Sequence, residues 1–380
     1  MRCKLGDICD ITSSKRIFAH EYRPFGVPFY RGKEIIEKQS GKTVSNELFI
    51  EESRYAEIEE RHGAPQNGDL LLTSVGTLGV PYVVRNERFY FKDGNITWFR
   101  NFRNASSQYL YYWLLSPLGK QQIDSKSIGS TQKALTIDAL LGFEIDLPSL
   151  EEQLKIERNL WALDEKISNN KMINHHLEQM AQAIFKSWIV DFEPTKPFTD
   201  IVQVLGGGTP KTGIAEFWDG EIPFFTPKDA LGTYVLSTDK TLTAAGLSSC
   251  NSPLYPINTV FVTARGTVGK LALAGCPMAM NQSCYALVGA DDYGQHYVYH
   301  LAQFVVEHLK HKASGAVFDA IVTRDFESEI VPASTIEDVQ SFEEKVAPIY
   351  EAILNNSKEN ARLATLRDTL LPKLMKGELL

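Results

Sequence analysis

Two stretches of the chain place apolar residues at spacings that alternate between four and three. The first runs from Ile156 to Trp188 and also contains Leu160, Leu163, Ile167, Asn170, Asn174, Leu177, Ala181 and Ile184. The second contains Phe342, Val346, Ile349, Ile353, Asn356, Asn360 and Leu363. An average spacing of about 3.5 residues is typical of helices that pair through an apolar seam. The pattern predicts two long, paired helices.

Both predicted helices have start signals. Ser149 followed by Glu152 forms a capping box, and Thr335 followed by Asp338 repeats the arrangement. The first helix should end at the proline-containing segment 192–197. Pro348 should kink or restart the second helix, because proline lacks a backbone N–H.

Asparagines occupy two seam positions in each helix, at Asn170 and Asn174 and at Asn356 and Asn360. Polar seam residues reduce apolar burial and usually specify the register and the partner of a helix pair. The alternative interpretation is a surface helix that tolerates Asn. On the pairing hypothesis, Asn170→Leu or Asn356→Leu should leave the protein folded or more stable while loosening its register.

The segments before the helices have a different pattern, with short β-branched and aromatic runs between Gly, Pro and Asn signals. Predicted strands lie within 80–85, 89–92 and 259–264. One helical stretch is predicted in each segment, over 109–123 and 295–312. These are mixed α and β domains.

An internal repeat relates the two halves of the chain. Residues 68–79 align with 258–269 at an offset of 190, and in both copies an apolar run enters a G-T-x-G turn. A repeat of half the chain length indicates duplicated domains. The predicted α/β (α+β) fold has domains at 1–148 and 198–334 and helical spacers at 149–193 and 335–380. An internal pseudo-two-fold would pair the two helices as an antiparallel coiled coil.

Composition narrows the class of protein. The 380 residues are 43% hydrophobic and 23% charged, with a mean hydropathy of -0.18, as in globular proteins. The five cysteines include no C-x-x-C pair, which argues against a disulfide framework or a structural zinc. We expect a cytoplasmic protein because no signal peptide or membrane-spanning run is evident. The net charge of -8 disfavours binding to nucleic acid by bulk electrostatics, so any DNA contact requires local patches or a basic partner.

Catalytic motifs are weak. The D/E-x-K patterns at 164–166 and 343–345 fit a nuclease, but they lie on the predicted helices, where a solvated face is favoured. His296 and His300 stand one helical turn apart, and a surface pair is favoured over a zinc site. The glycine-rich string 206–212 lacks the G-K-[ST] order of a phosphate-binding loop.

The second G-T-x-G turn is suited to binding. Its glycines allow close approach of the backbone, while Arg265 and Lys270 beside it supply charge and hydrogen-bond donors for phosphates or bases. A plain tight turn at a strand end is the alternative.

Several strings together resemble the specificity subunits of Type I restriction-modification systems. They are the G-G-T-P of 207–210 with the segment 217–224, the central strand and turn 260–270 with 281–283, the end of the first helix at 183–194, and the segment 366–379. These motifs span nearly the full length of the chain. The first domain departs from the pattern, since 13–16 reads S-S-K-R instead of G-G-T-P and Val75 replaces the arginine.

The resemblance implies a subunit without catalytic or metal-binding residues. Two target recognition domains would each read one half of a split site in double-stranded DNA, and the paired helices would set their spacing and dock two adenine-methyltransferase (M) subunits. Motor and endonuclease (R) subunits would complete the complex. S-adenosylmethionine, ATP and Mg²⁺ would bind to these partners, and the system would perform DNA methylation and restriction without a membrane.

Candidate DNA contacts follow from the same motifs. In the second domain they are Lys211, Lys228, Arg265, Gly266, Thr267, Lys270 and Gln282, and in the first domain Lys15, Arg16, Arg31, Ser74 and Thr77. Three other functions stay open: a recognition chain of a Type IIB-like system with a different cleavage partner, an unrecognised nuclease, and a scaffold that does not bind DNA. Partner identity, metal-dependent cleavage and the effect of mutating the turns distinguish them.

Overall fold

The structure is a computed structural model that describes residues 2–41, 43–129, 133–312, 320–332 and 334–378. The first half contains β1 Arg2–Lys4, α1 Leu5–Ile8, β2 Asp10–Thr12, β3 Tyr22–Arg23, β4 Val27–Tyr30, α2 Gly32–Gln39, β5 Leu48–Ile50, α3 Glu52–His62, β6 Leu70–Thr73, β7 Pro81–Val83, β8 Tyr90–Phe91, β9 Ile96–Arg100, α4 Ser107–Leu115, α5 Pro117–Lys126, α6 Ile137–Leu141, β10 Glu144–Asp146 and α7 Leu150–Ile189. The second half contains β11 Pro194–Pro197, α8 Phe198–Ile201, β12 Val202–Gly206, β13 Trp218–Phe225, β14 Tyr234–Val235, β15 Lys240–Leu242, α9 Ala244–Ser248, β16 Val260–Thr263, β17 Leu271–Ala274, β18 Ala279–Met280, β19 Cys284–Gly289, α10 Gln295–Lys312, α11 Thr323–Glu327, β20 Ile330–Pro332 and α12 Ile336–Met375. Leu379, the last residue of the motif at 366–379, lies outside the described residues.

The chain forms two compact units, a first unit of Met1–Ser168 with Leu363–Leu380 and a second unit of Asn169–Arg362. In the first unit, β2, β9, β6 and β7 form a four-stranded antiparallel sheet in that order. A second sheet has the order β3-β5-β4-β8, with β4 and β8 parallel. The central core joins the first sheet to α4 through residues such as Leu72, Phe99 and Tyr109.

The second unit repeats this topology. Its main sheet has the order β12-β19-β16-β17-β14, and a smaller sheet has the order β15-β13-β18, with β13 and β18 parallel. Each domain also joins its first strand to its last, β1 to β10 and β11 to β20, as antiparallel pairs. The duplication predicted from the repeat is therefore confirmed strand by strand. The first domain adds the strand β3 and the helix α2, and the second adds β14, while α3 and α9 follow β5 and β15 at the same place in the two domains.

The capping boxes of both long helices are confirmed. The Ser149 hydroxyl accepts from the Glu152 N–H at 3.3 Å, and the Glu152 carboxylate accepts from the Ser149 N–H at 2.9 Å. Thr335 and Asp338 make the same two bonds at 3.1 Å each. Helix α12 continues through Pro348, where the buried side chains of flanking residues hold this stretch in the core, so the predicted restart is wrong. The alternative of a kink at Pro348 stays a prediction.

Every predicted seam residue of α7 is buried or half-buried. In the second unit, Asn170 Nδ2 donates to Asn360 Oδ1 at 3.0 Å, and Asn356 Nδ2 donates to Asn174 Oδ1 at 2.8 Å. Residue numbers rise along one helix as they fall along the other, so the pairing is antiparallel, as predicted. In the first unit, α7 and α12 contribute Ile156 and Leu371 to one core.

The seam asparagines have partners that the heptad argument did not include. Asn170 is 1% exposed, and its Nδ2 also donates to the Glu359 carboxylate at 2.6 Å. Asn174 Nδ2 donates to the Ile353 carbonyl at 3.3 Å. Leucine at 170 would remove a buried donor from Glu359 and Asn360, so the structure contradicts the basis for expecting a neutral or stabilising effect.

The helical stretch predicted over 109–123 is divided in two. Helix α4 ends at Leu115, and Ser116 caps α5, its hydroxyl accepting from the Gly119 N–H at 3.3 Å. Pro117 occupies the first position of α5, where its missing N–H has no cost. The other predicted helix, over 295–312, matches α10.

All five cysteines are free thiols. Cys9 and Cys284 are buried, and burial raises the pKa of each to about 12. Within the described part of the chain, no helix has the length and apolarity needed to cross a membrane. The same residues contain no cluster of three or more His, Cys, Asp or Glu arranged to hold a metal ion.

Candidate nucleic-acid interface

The second-domain G-T-x-G turn joins β16 to β17 and is held by Thr263. This buried residue accepts the Gly269 N–H on its carbonyl at 2.8 Å and the Lys270 N–H on its hydroxyl at 2.9 Å. The hydroxyl in turn donates to the Thr267 carbonyl. Gly266 and Gly269 have φ values of 82° and 74°, in the left-handed region that favours glycine. One buried side chain thus fixes the turn.

Three further segments are linked to this turn directly or through one another, beginning with 281–283, where the Ser283 carbonyl accepts from the Arg265 N–H at 3.2 Å. The Gly208 N–H donates to the Met280 carbonyl at 3.0 Å, and the Asn281 N–H donates to the Phe225 carbonyl at 3.0 Å. The Thr267 hydroxyl donates to the Pro227 carbonyl at 3.4 Å. The structure therefore brings the segments that contain the predicted contacts 211, 228, 265–270 and 282 to one surface of the second domain.

The cationic residues on this surface are available to a ligand. Lys211, Lys228, Arg265 and Lys270 are all exposed, and none of these four has an ion-pair partner among the described residues. Lysine and arginine without partners are the groups that neutralise phosphates or read base edges. These four cations lie in a chain that is acidic overall.

The G-G-T-P string has a structural explanation. A Cβ at Gly207 would lie 2.2 Å from the Asn281 carbonyl oxygen, so only glycine lets these backbones approach. The next residue but one, Thr209, donates its hydroxyl to the Gln282 side chain. The string positions the 281–283 segment beside the turn.

The first-domain turn has the same construction. Thr73 is buried and accepts the Gly79 N–H on its carbonyl at 2.8 Å and the Val80 N–H on its hydroxyl at 3.0 Å. Gly76 and Gly79 have φ values of 82° and 74°, as in the second domain. Thr77 is exposed at the tip.

The predicted first-domain contacts are less uniformly placed. Lys15 is exposed, and its backbone N–H donates to the Tyr90 hydroxyl at 2.7 Å. Arg16 is exposed but pairs with Asp93 at 2.8 Å. Ser74 is 3% exposed and bonds to the Thr97 hydroxyl, so its side chain lies in the core and not at the surface.

Arg31 is held by an ion pair with Glu34, which has no exposed side-chain surface. Burial acts to raise the pKa of Glu34, but hydrogen bonds from the Arg31 side chain and backbone outweigh it and lower that pKa. The Arg31 side chain therefore pairs with the buried Glu34 carboxylate at the start of α2 and neutralises its charge.

Thr73 and Thr263 were missed as functional residues by the sequence analysis. They occupy the same position in the two copies of the repeat, immediately before the turn residues. That shared position was the available signal. The sequence did not reveal their role because a threonine at a strand end is equally typical of an ordinary strand.

The residues considered for catalysis have structural partners. Asp164 accepts from the Tyr112 hydroxyl at 2.8 Å and from Arg367 at 2.7 Å. The expectation of a solvated face is therefore wrong for Asp164. Glu343 bonds to His296 at 2.8 Å and accepts the Tyr297 N–H at 2.8 Å. These carboxylates are occupied by neighbouring residues of their own units.

The prediction of a surface histidine pair on α10 is wrong. His296 and His300 are 8% and 2% exposed, because this face of α10 packs against α12 in the second unit. The His300 ring bonds through Nε2 to the Tyr350 hydroxyl at 2.8 Å. Burial lowers the pKa of His300 to about 4.

Comparison with known proteins identifies the family. The model of the Type I restriction modification DNA specificity domain matches residues 1–179 and 190–359. The Type I restriction enzyme MjaIX specificity subunit of Methanocaldococcus jannaschii is 27% identical over 345 residues, which cover 82% of this chain and 78% of that protein. The HindI specificity subunit of Haemophilus influenzae is 26% identical over 336 residues, with coverage of 67% and 73%.

A solved structure has a similar fold. The S subunit of a Type I restriction-modification system from M. genitalium superposes with a TM-score of 0.61 at 15% identity, covering 98% of this chain and 95% of that one. The chain belongs to the family of Type I restriction-modification specificity subunits. It is a non-catalytic subunit that recognises DNA sequence, which confirms the resemblance drawn from its motifs.

Proposed function

We propose that this chain reads a split DNA site, with each recognition domain reading one half through the surface around its G-T-x-G turn. The observation that carries this proposal is the duplicated turn, in which a buried threonine and two left-handed glycines hold the same backbone in both domains. The same turn backbone with different side chains around it suits two domains that recognise different DNA sequences. The exposed cations of the second surface are available for phosphates and bases.

The partners follow from the same proposal. Two M subunits dock on α7 and α12, and R subunits add translocation and cleavage. S-adenosylmethionine, ATP and Mg²⁺ bind to those partners and not to this chain. Support comes from apolar side chains that α7 leaves exposed in the second unit, since Met172, Ile173 and Met180 are 57%, 48% and 54% exposed.

Arg265 provides the direct test. The complex of this chain with its M subunits is expressed without R subunits, and its methylated sites are mapped across a genome. If Arg265 makes a bidentate base contact, Arg265→Ala should relax one position in one half-site, at a cost of about 1–3 kcal/mol.

Arg2→Ala is the matched control, because it removes the same charge from an exposed position of β1 in the other domain. Equal weakening on all sequences would make Arg265 a phosphate contact. Unchanged methylation by Arg265→Ala, together with unchanged affinity, would assign the second turn a structural role and contradict the proposal for that domain.

A further inference from the structure

The first domain has a cleft between the start of α2 and the G-T-x-G turn. Its lining includes Lys33 and Arg31 on the helix side and Val75, Thr77 and Asn95 on the turn side. Neither Lys33 nor Asn95 stands out in the sequence. Both become candidates because the fold places them beside an exposed turn of the recognition surface.

The Asn95 amide is positioned and available. Its backbone carbonyl accepts from the Ser74 N–H at 2.8 Å, which fixes the residue next to the turn. Its side chain is half-exposed and has no hydrogen-bond partner within the described part of the chain. An asparagine whose backbone is fixed and whose side-chain amide has no partner can present a donor and an acceptor together to a ligand.

The equivalent position of the second domain carries different chemistry. There the Ser283 carbonyl accepts from the Ala264 N–H at 2.8 Å, which makes Ser283 the counterpart of Asn95. Val75 likewise corresponds to Arg265, since each forms an isolated β-bridge, to Ala134 and Ala320 respectively. The first domain therefore combines an amide with an apolar side chain where the second combines a hydroxyl with a guanidinium.

These two sets favour different base pairs. An Asn amide can bond to both N6 and N7 of adenine in the major groove, and an apolar side chain can contact the methyl group of thymine. A guanidinium instead matches O6 and N7 of guanine. Asn95 and Val75 in one cleft thus match an A·T pair.

A cation for the adjacent phosphate is supplied by Lys33. Arg31 is committed to the buried Glu34. The Lys33 side chain is 59% exposed, and its Nζ lies 3.7 Å from the carboxylate of Glu37, a long contact to a side chain that is 15% exposed and also accepts the Ser45 N–H at 3.0 Å. Lys33 lies two residues after the capping residue Arg31. Lys228 is placed in the same way after Thr226, whose N–H is bound by Asp229 at 2.8 Å.

We propose that this cleft reads an A·T base pair in the half-site of the first domain, with Asn95 contacting the adenine and Lys33 the neighbouring phosphate. The inference rests on the proposed function, because it assumes that the first domain binds one half of the DNA site. It assigns DNA contacts to two residues that the motifs do not include, a specificity contact to Asn95 and a phosphate contact to Lys33.

The test maps the sites methylated by the full chain with its M subunits, in cells without R subunits. Asn95→Ala should reduce discrimination at one A·T position of one half-site by about 5- to 150-fold and leave the other half unchanged. Asn95→Asp has nearly the same shape and accepts from cytosine N4, so it should shift that position towards a C·G pair. Asn86→Ala, which removes an exposed amide from the loop between β7 and β8, should change neither half.

Lys33→Ala should weaken binding of the assembled complex on all sequences alike and lower the slope of log affinity against log salt by about one. Lys120→Ala, an equal charge change on α5, is its control. Relaxation at a G·C position, an equal loss at all positions for Asn95→Ala, or unchanged sites would each overturn the inference. Wild-type methylation without a two-part sequence would instead contradict the proposed function itself.

Discussion

The two G-T-x-G turns share one backbone conformation but carry side chains of different chemistry. In both, a buried threonine binds the turn and two glycines have φ values of 82° and 74°. The second residue after the strand end differs, being Val75 in the first domain and the exposed Arg265 in the second. The residues that hold the turn are therefore separate from those that face a ligand, so the ligand-facing residues can change without loss of the fold.

The segments that follow β2 in the first domain and β12 in the second differ more than the two turns do. In the second domain, Gly207 passes close to the backbone at Asn281 and leaves no space for a side chain. In the first domain, the Ser13 hydroxyl accepts from the Gly94 N–H at 3.3 Å instead. Close backbone packing at a glycine is thus a feature of the second-domain segment, where the first-domain segment has a side-chain hydrogen bond to the opposite backbone.

The largest expected effect separates these two anchors. Gly207→Ala should destabilise the second domain by about 3 kcal/mol or more, because its Cβ would overlap backbone oxygens that cannot move independently. Ser13→Ala should cost no more than about 1 kcal/mol, the value of one hydrogen bond near the surface. Urea unfolding of both variants measures the difference, and equal losses would contradict the comparison.

Acid should affect the second domain before the first. The pKa of His300 is lowered to about 4 by burial from an unfolded value near 6.5, so unfolding binds a proton between these values. The stability contributed by neutral His300 is complete above pH 6.5 and is lost as the pH falls towards 4, by up to about 3 kcal/mol. The lowered pKa of Glu343 acts in the same direction at lower pH.

Hydrogen exchange at pH 7 and pH 5 checks this contrast by comparing α10 with α4, which contains no histidine. His300→Gln should reduce the pH dependence around α10. Equal acid sensitivity of the two helices, or no change in the variant, would show that His300 does not control it.

The helix pair provides a contrast of intermediate size. Asn170 is 1% exposed and bonds to Glu359 and Asn360, so Asn170→Leu should cost about 2 kcal/mol. In the first unit the Arg367 side chain is 30% exposed where it pairs with Asp164, so Arg367→Met should cost no more than about 1 kcal/mol. Thermal unfolding compares the two variants, and a stabilised Asn170→Leu protein would restore the simple seam interpretation.

The smallest effect on stability is expected from exchanging the chemistry of the turns. Val75→Arg should change the free energy of unfolding by no more than about 0.5 kcal/mol, because Arg265 occupies the equivalent bridged position in the second domain. The added cation should raise the salt slope of DNA binding by about one. An unfolded variant would show that the two scaffolds are not interchangeable.

The sequence alone was sufficient where the determining contacts are local or periodic. Ser149 with Glu152 and Thr335 with Asp338 are capping pairs three residues apart, and the heptad spacing predicted the buried face of α7. The repeat of the G-T-x-G turn likewise predicted the duplicated topology. Each signal depends on a few neighbouring residues or on a spacing that can be read along the chain.

Burial and pairing were decided only by the tertiary structure. His300 meets Tyr350 fifty residues away, Arg16 meets Asp93, and Ser74 meets Thr97, so the histidine is a core residue, the arginine is paired and the serine is inaccessible. The seam pattern identified Asn170, but its hydrogen bonds come from a helix 190 residues further along the chain. The same amino-acid types are exposed or buried according to which distant segment packs against them, and no local spacing contains that information.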